Sequence, residues 1–294
     1  MIQQLVNALV LGSVFLLFSL GLSLAWGTLD VLNLAHGALF VLGAYLTYEL
    51  GVSTSLPVVV VALIGMVGCG LAATVLEITA FGPIRVRMRS KRQAELGVLV
   101  ASLGGATIIG QLISNATRDQ IFAQRVFEAK QYHVAGIVVS NIDGAIVIIA
   151  LVVATAIHLV TSRSHQGRAV RALAVDPVTA GLMGINVRLV ALGTMFVSGA
   201  LAGLAGVLLS FGASGMTVSS GDAYMLSAFA ILVVGGVGSI LGACITSYAV
   251  AIAETAVVAY GPSNYETGVA FGLILLFLIV RPTGLFAKNL AERV

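Results

Sequence analysis

The chain has 294 residues, of which 59% are hydrophobic and 9% are charged, and its mean hydropathy is +1.07. Soluble domains carry roughly 25% charged residues, so this composition excludes a soluble protein. The formal net charge is +3, and we interpret the positions of the charges as a record of membrane orientation rather than as a nucleic-acid surface. The 34 glycines exceed the usual share of roughly 7%, which favours either a tightly packed bundle or a transporter with broken helices.

Nine apolar segments follow one another along the chain. In the hydrocarbon core the backbone must satisfy its own hydrogen bonds, so apolar runs of roughly 20 residues are helices. The segments are residues 4–26, 31–48, 56–82, 95–114, 136–161, 188–213, 223–239, 241–260 and 266–281. We therefore predict an all-α polytopic transmembrane helix bundle of about 8 to 10 spans, built as a single domain over residues 1–294.

The second segment carries polar side chains that are rare in membrane helices. Asn33 and His36 are three residues apart, which places them on one face of a helix, and Ala35 and Gly37 beside them are small. One interpretation is hydrogen bonding to a neighbouring helix. The other is a discontinuous helix whose freed backbone amides face a passing carboxylate. On the second interpretation, a translocation path is lined by Asn33, Ala35, His36 and Gly37.

Basic residues cluster in residues 83–93, in residues 162–188 and in the C-terminal stretch from Arg281. Short loops rich in Lys and Arg stay in the cytoplasm, so we predict that all three groups are cytoplasmic. Two apolar segments separate the first group from the second and four separate the second from the third, and both numbers are even, as a shared side requires. The N-terminus then lies outside if the first three segments all cross, and residues 115–133 form an external loop.

Three smaller features have simple interpretations. The run Gly235–Ser239 lacks the lysine of a nucleotide-binding loop, so we predict a turn between two spans. Glu77 and Glu254 lie near the ends of their segments, where a carboxylate that bonds to a loop is favoured over a proton relay. The tetrapeptide VLGA at 41–44 returns as ILGA at 240–243, an echo too short to establish an internal repeat.

The segment Gly167–Arg188, GRAVRALAVDPVTAGLMGINVR, interrupts two spans on the predicted cytoplasmic side. Its alanines favour helix, Asp176 and Pro177 can cap and start a second short helix, and Gly184 can end it. We therefore predict a pair of short helices rather than a flexible loop. An ordinary amphipathic loop helix is the alternative.

Part of this segment, ALAVDPVTAGLMGI, resembles the cytoplasmic coupling segment (here residues 167–187) of binding-protein-dependent ABC importer permeases, which fits a groove on the ATPase. The matching positions are Arg171, Ala172, Ala174, Asp176, Pro177, Ala180, Gly184 and Ile185. Three further stretches resemble the branched-chain amino acid permeases of that group: WGTLDVLNLAHGALFVLGAYLTY from Trp26, AFAILVVGGVGSILGA from Ala228, and RPTGLFAK from Arg281. The length is similar to that of the shorter of the two permease subunits in such systems.

The resemblance implies one permease half of an importer in a bacterial inner membrane, carrying small branched-chain or hydrophobic amino acids. Its implied partners are a second homologous permease, which makes a heterodimer, two cytoplasmic ATPase subunits and an extracytoplasmic binding protein. ATP would be bound by the ATPases, so no cofactor is expected in this chain. Import of urea or short amides by the same architecture stays open, as does a self-sufficient secondary transporter or channel. Catalytic and metal-binding motifs do not occur in the sequence, so an enzyme is not expected.

Overall fold

The computed structural model describes residues 1–54, 56–123, 131–134, 137–212, 215–261, 266–280 and 284–286. Its helices are α1 Ile2–Leu29, α2 Ala35–Ser53, α3 Val58–Leu76, α4 Gly82–Arg87, α5 Lys91–Thr117, α6 Asn141–Arg163, α7 His165–Val175, α8 Pro177–Leu182, α9 Val187–Gly212, α10 Ser220–Gly235, α11 Ile240–Tyr260 and α12 Glu266–Val280. A π-helical turn, Glu77–Phe81, joins α3 to α4, and β1 Gln131–Val134 pairs with β2 Ile137–Ser140 in an antiparallel hairpin. The predicted all-α polytopic bundle is confirmed.

Each of the nine apolar segments overlaps one of the longer helices. Six helical stretches of the described residues are long and apolar enough to cross a membrane by themselves: Ile2–Leu29, Val58–Arg87, Lys91–Thr117, Asn141–Arg163, Val187–Gly212 and Ile240–Tyr260. The remaining three, α2, α10 and α12, have 19, 16 and 15 residues. A total of 8 to 10 spans therefore depends on these shorter helices and stays a prediction.

Glycines on α9 bring the central helices into backbone contact. A Cβ atom at Gly199 would lie 2.4 Å from the Cβ of Ala73, and one at Gly203 would lie 2.5 Å from the Cβ of Cys69. Both neighbours belong to α3. Small residues let membrane helices approach this closely, so glycine at these two positions is explained by packing.

Two of the predicted cytoplasmic loops lie at the same end of the bundle. Helices α3 and α9 are antiparallel, because Gly65 lies against Val207 while Gly70 lies against Phe196. The end of α3 and the start of α9 are therefore close in height, and the loops 83–93 and 162–188 emerge together. We call this end the basic end. The predicted C-terminal basic group, Arg281, Lys288 and Arg293, lies outside the described residues.

Other contacts complete the two ends of the bundle. At the basic end, Lys91 forms an ion pair with Asp30, which follows α1, and Gly27 lies against Gly238 in the turn between α10 and α11. The prediction of a turn at Gly235–Ser239 is therefore confirmed. At the opposite end, the side chain of Gln3 exchanges two hydrogen bonds with the backbone of Val138 at 3.0 and 2.8 Å. The predicted external loop thus continues into a hairpin that is attached to the start of α1.

The two acidic residues near segment ends both have protein partners. Glu77 is buried in the π-helical turn and forms an ion pair with Arg85 of α4. Glu254 of α11 is buried and accepts a hydrogen bond of 2.7 Å from the hydroxyl of Ser227 in α10. The contact of Glu77 agrees with a carboxylate that is bonded locally near the end of its span, whereas Glu254 bonds to a neighbouring helix rather than to a loop.

Helix neighbours recur between the two halves of the chain. If α1, α2, α3 and α5 are matched with α9, α10, α11 and α12, their contacts correspond. Helix α1 packs on α11, and its match α9 packs on α3. Helix α2 contacts α3 and α5, and its match α10 contacts α11 and α12. The matching helices run in opposite directions, since α1 runs toward the basic end and α9 runs away from it. This is the pattern of an inverted repeat. It pairs α2 with α10, so the echo between residues 41–44 and 240–243, which would pair α2 with α11, does not mark it.

The helices α2 and α10 both begin inside the bundle. His36 in the first turn of α2 bonds to the carbonyl of Phe18, and the ring of Tyr224 in the first turns of α10 lies 5.7 Å from that of Phe15. Phe15 and Phe18 are midway along α1. The residues before α2 are not helical, and Asp30 has a φ of 56°. The second segment is therefore helical only from Ala35, and α2 is unbroken from there to Ser53.

Candidate functional site

The helices α7 and α8 form a corner at the basic end. The Ser164 hydroxyl begins α7 by accepting a hydrogen bond of 2.9 Å from the backbone N–H of Gly167. The guanidinium of Arg171 donates to the carbonyl of Thr161 in the last turn of α6. Helix α7 also contacts α1 and α9. Helix α7 is thus attached to the ends of three membrane helices.

Asp176 holds the angle between α7 and α8. Its carboxylate accepts hydrogen bonds from the hydroxyl of Thr179 and from the backbone N–H groups of Val178, at 3.0 Å, and Thr179, at 3.1 Å. These bonds hold the pKa of Asp176 below its usual value, and the bond from the Thr179 hydroxyl contributes most to the lowering. Pro177 occupies the first turn of α8, where a missing N–H is tolerated. The predicted cap and helix pair are confirmed.

The eight predicted coupling residues surround this corner. Ala180 is buried, and its carbonyl accepts a hydrogen bond of 3.1 Å from the N–H of Ile185. Ala172, Asp176 and Ile185 are half-buried. Gly184 follows α8 with a φ of 85°, a conformation that favours glycine after a helix. The exposed members are Arg171, Ala174, Pro177 and Gly184. Their role in docking stays a prediction.

Sequence reasoning missed the apolar side chains that project from the corner. Val175, Val178, Leu182 and Met183 are 73%, 71%, 83% and 80% exposed. Beside them, between α7, α8 and the start of α9, is a groove of about 970 Å³ with a mainly apolar lining. We call these four side chains and the groove the corner surface. Large apolar residues inside a basic loop were the sequence signal that could have identified it.

Asn33, a predicted path residue, lies before α2 rather than within it. Its side-chain oxygen accepts a hydrogen bond of 3.0 Å from the N–H of Ala35, and the N–H of Leu34 donates to the hydroxyl of Ser102 on α5 at 3.1 Å. Asn33 thus forms a turn immediately before α2. The expectation that Asn33 and His36 share a helix face is wrong, because the helix begins between them.

The other predicted path residues pack against α1 and α10. His36 is fully buried, with Nε2 3.0 Å from the carbonyl oxygen of Phe18 and its ring 4.7 Å from that of Phe18. Ala35 is also buried, and a Cβ atom at Gly37 would lie 2.7 Å from the carbonyl oxygen of Gly221. The interpretation of His36 as bonded to a neighbouring helix therefore agrees with the structure. A role of Asn33, Ala35, His36 and Gly37 in the path stays a prediction.

A cleft of about 670 Å³ lies directly beside these packed residues. We call it the polar cleft. It is formed by α2, the second half of α5, and the residues that lead into α10. Ala38 and Val41, which follow the predicted path residues on α2, line one side of it. The structure thus places an open space next to the second segment, on a face that the sequence did not identify.

The side of the polar cleft on α5 was missed by sequence reasoning. Thr107, Gln111 and Ser114 line it at helical spacing. Thr217, which precedes α10, and Asp222, in the first turn of α10, line the other side. Polar residues at positions i, i+4 and i+7 share one helix face, so the stripe on α5 was a readable signal. Polar groups on a membrane helix usually face protein or a water-filled space rather than lipid.

Comparison with known protein families gave a match over nearly the whole chain. A family model described as "Branched-chain amino acid transport system / permease component" matches residues 4–280. The high-affinity branched-chain amino acid transport system permease protein BraD of Pseudomonas aeruginosa is 29% identical, with 100% of this chain and 98% of BraD covered. The corresponding protein LivH of Escherichia coli K12 is 30% identical, with 100% and 97% covered.

More distant similarities involve other transport proteins. The ribose import permease protein RbsC of Haemophilus influenzae is 27% identical, with 98% of this chain and 85% of RbsC covered. Among solved structures, a chain of PsaBC from Streptococcus pneumoniae in complex with Fab gives a TM-score of 0.53 at 13% identity, with 96% of this chain and 91% of that chain covered. At this identity the likeness concerns the fold.

Proposed function

Because the chain belongs to the family of branched-chain amino acid transport permease components, we propose that it forms one half of the translocation path of an ATP-binding-cassette importer for branched-chain or other hydrophobic amino acids. The family consists of transport proteins, and the chain is not an enzyme. It is a multi-pass membrane protein of the permease type. The proposal adds its partners, its orientation and its cargo.

The corner surface is the observation that supports the proposed docking of ATPase subunits. Four large apolar side chains of α7, α8 and the residue after them are at least 71% exposed at the basic end. Exposed apolar clusters outside the hydrocarbon region are typical of protein interfaces. We place the basic end in the cytoplasm, following the distribution of Lys and Arg. Two ATPases would then dock there, one on this chain and one on its partner permease.

The polar cleft supports the proposal that a second permease subunit packs against this chain. Its polar stripe on α5 would face lipid if the chain worked alone, which is unfavourable. A homologous permease that covers the cleft would enclose a path between the two subunits. An extracytoplasmic binding protein would deliver the cargo to the opposite end from the corner surface.

The cargo is proposed from the names of the relatives. BraD and LivH are named for branched-chain amino acids, whereas RbsC is named for ribose, so the architecture serves more than one type of cargo. BraD and LivH are covered over almost their whole lengths, and amino acids are therefore our first choice. Urea or short amides are the alternative within the same architecture.

Reconstitution of the complex tests the proposed function. The chain is purified with its second permease and ATPases, placed in liposomes, and supplied with the binding protein and radiolabelled L-leucine. We expect uptake that requires both ATP and the binding protein. Uptake by the chain alone without ATP would instead identify a secondary transporter or channel. Uptake of labelled urea but not leucine would replace the proposed cargo.

A charged residue on the corner surface tests ATPase docking. Leu182 is 83% exposed, and so is Val86 on α4 at 86%, on the other loop of the basic end. Neither side chain supports the fold, so Leu182→Arg and Val86→Arg should both insert and fold normally. Burying a leucine contributes about 2 kcal/mol, so we expect Leu182→Arg to weaken ATPase binding by at least roughly 30-fold. Val86→Arg should leave it unchanged. Equal ATPase recovery with both variants would contradict docking at the corner surface.

A further inference from the structure

Asp222 is isolated in the sequence. Between Arg188 and Glu254 it is the single charged residue. The stretch contains α9, α10 and most of α11, which are otherwise apolar membrane helices. A carboxylate within a membrane segment is unfavourable by about 2.5 to 3.5 kcal/mol, and such residues usually have a function.

Asp222 also lies deep in the bundle. It is in the first turn of α10, next to Gly221, whose added Cβ atom would lie 2.5 Å from the carbonyl oxygen of Gly37 and 2.9 Å from the side chain of Val41. Two residues later, Tyr224 packs on Phe15 midway along α1. Asp222 is therefore held near the middle of the membrane helices, at the inner limit of the polar cleft.

Within the described part of the chain, no ion pair explains the carboxylate of Asp222. Among the described residues no Lys, Arg or His lies within ion-pair distance of Asp222. It does not cap α10 either, because the first turn is bonded through the backbone, with the N–H of Asp222 on the carbonyl of Ser219 at 3.1 Å. The side chain is exposed to the cleft, so its negative charge is available to whatever enters.

The rest of the cleft defines what that would be. The cleft lining among the described residues includes two carboxylates, Asp222 and Asp119, and no basic side chain. The carboxylate of Asp119 accepts a hydrogen bond from Ser114. Apolar groups, among them Val41 and Leu103, line the same space. A carboxylate beside an apolar surface is complementary to a ligand that has a primary ammonium group and an aliphatic chain. A divalent metal would need about six oxygen ligands, and the described residues contain no group of three or more His, Cys, Asp or Glu side chains that could hold one.

We propose that Asp222 is a specificity-determining residue of the translocation path, which contacts the α-ammonium of the passing amino acid while the aliphatic side chain lies against Val41 and Leu103. The assignment rests on the proposed function and adds a residue to it. It also distinguishes the two cargo classes, since urea and short amides are neutral and can donate only uncharged hydrogen bonds to this carboxylate, which are weaker than the bond from an ammonium group.

Leucine uptake by Asp222 variants tests the assignment in the reconstituted complex. A charge-assisted hydrogen bond contributes enough that its loss lowers uptake by roughly tenfold or more. We expect that decrease in Asp222→Asn, with partial recovery in Asp222→Glu and with ATPase stimulation by the binding protein preserved. Glu49→Gln, which removes an exposed carboxylate of α2 outside the cleft lining, is the control and should transport normally. Wild-type uptake by Asp222→Asn would overturn the assignment.

A cysteine at the same position separates charge from folding. Asp222→Cys is reconstituted and then treated with a methanethiosulfonate reagent that adds either a sulfonate or a trimethylammonium group. The sulfonate should raise leucine uptake and the trimethylammonium should lower it, whereas the native chain, whose Cys69 is buried and Cys244 half-buried, should respond to neither. If both reagents leave uptake by Asp222→Cys unchanged, the assignment fails. If the wild-type complex shows no ATP-dependent leucine uptake, the proposed function fails first.

Discussion

Replacing Gly206 by alanine probes the contact between α9 and α2. A Cβ atom at this position would lie 1.9 Å from the carbonyl oxygen of Phe40 and 2.8 Å from its carbonyl carbon. A carbon atom and a carbonyl oxygen normally approach to about 3.3 Å, so the two helices must separate by more than about 1 Å. Both contacting atoms belong to the backbone of α2, and a side-chain rotation therefore cannot relieve the clash.

The size of the effect follows from two opposing contributions. Overpacking a well-filled interior lowers stability by about 1 to 3 kcal/mol, while alanine favours a helix over glycine by about 0.5 to 1 kcal/mol. We expect a net loss of about 1 to 2 kcal/mol. Gly193→Ala is the matched control. It adds the same methyl group to the same helix, with no atom within 4 Å of the new Cβ, so it should be neutral or stabilising.

Unfolding in detergent measures this difference. The purified protein is titrated from a mild detergent into sodium dodecyl sulfate, and unfolding is followed by the fluorescence of Trp26, the one tryptophan of the chain. Its ring lies 6.4 Å from that of Phe229 on α10, so its signal reports helix packing. The midpoint for Gly206→Ala should be lower than the wild-type value and that for Gly193→Ala should not. If both variants unfold at the same detergent fraction, the described contact between α2 and α9 is wrong.

Two further predictions concern the basic end. Arg85→Met leaves Glu77, which is 4% exposed, without its ion partner, and should lower stability in the same titration by about 3 kcal/mol. The double variant with Glu77→Gln should recover much of the loss, and a single variant as stable as the wild type would contradict the buried pair. The lowered pKa of Asp176 means that its cap on α8 is complete above about pH 4, the ordinary carboxyl range, and is lost as the pH falls through the lowered value. In the wild type, hydrogen exchange of the Val178 and Thr179 amides, corrected for intrinsic rates, should therefore accelerate only in stronger acid. In Asp176→Ala it should already be faster at neutral pH. Equal exchange in the wild type and in Asp176→Ala at neutral pH would exclude the cap.

The parts of the fold that depend on neighbouring residues were predictable from the sequence. Hydropathy over roughly 20 residues located all nine long helices, because a membrane helix is stabilised segment by segment. The corner at Asp176 and Pro177 was also predictable, since a helix cap involves residues two or three positions apart. The same holds for the turn at Gly236 and Gly238, both of which adopt positive φ.

The parts that depend on tertiary contacts were not predictable. The polar cleft joins α2, α5 and α10, which are far apart in sequence, and no local pattern indicates that their faces meet. Asn33 and His36 were treated as part of one helix, but the hydrogen bond from Leu34 to Ser102 on α5 favours a later start. For the same reason, Asp222 had no assigned role in the sequence interpretation, because its importance depends on its depth in the bundle and on the lack of an ion-pair partner among the described residues.

The short length of α10 affects how the protein is assembled in the cell. Its 16 residues extend about 24 Å, less than the hydrocarbon thickness of roughly 30 Å, and a carboxylate stands in its first turn. Such a segment enters the bilayer poorly by itself. Only the residues Gly236–Ser239 separate it from α11, which is long enough to span. The two helices should therefore leave the translocon together as a hairpin, so the position of Asp222 is established only after α11 has been synthesised.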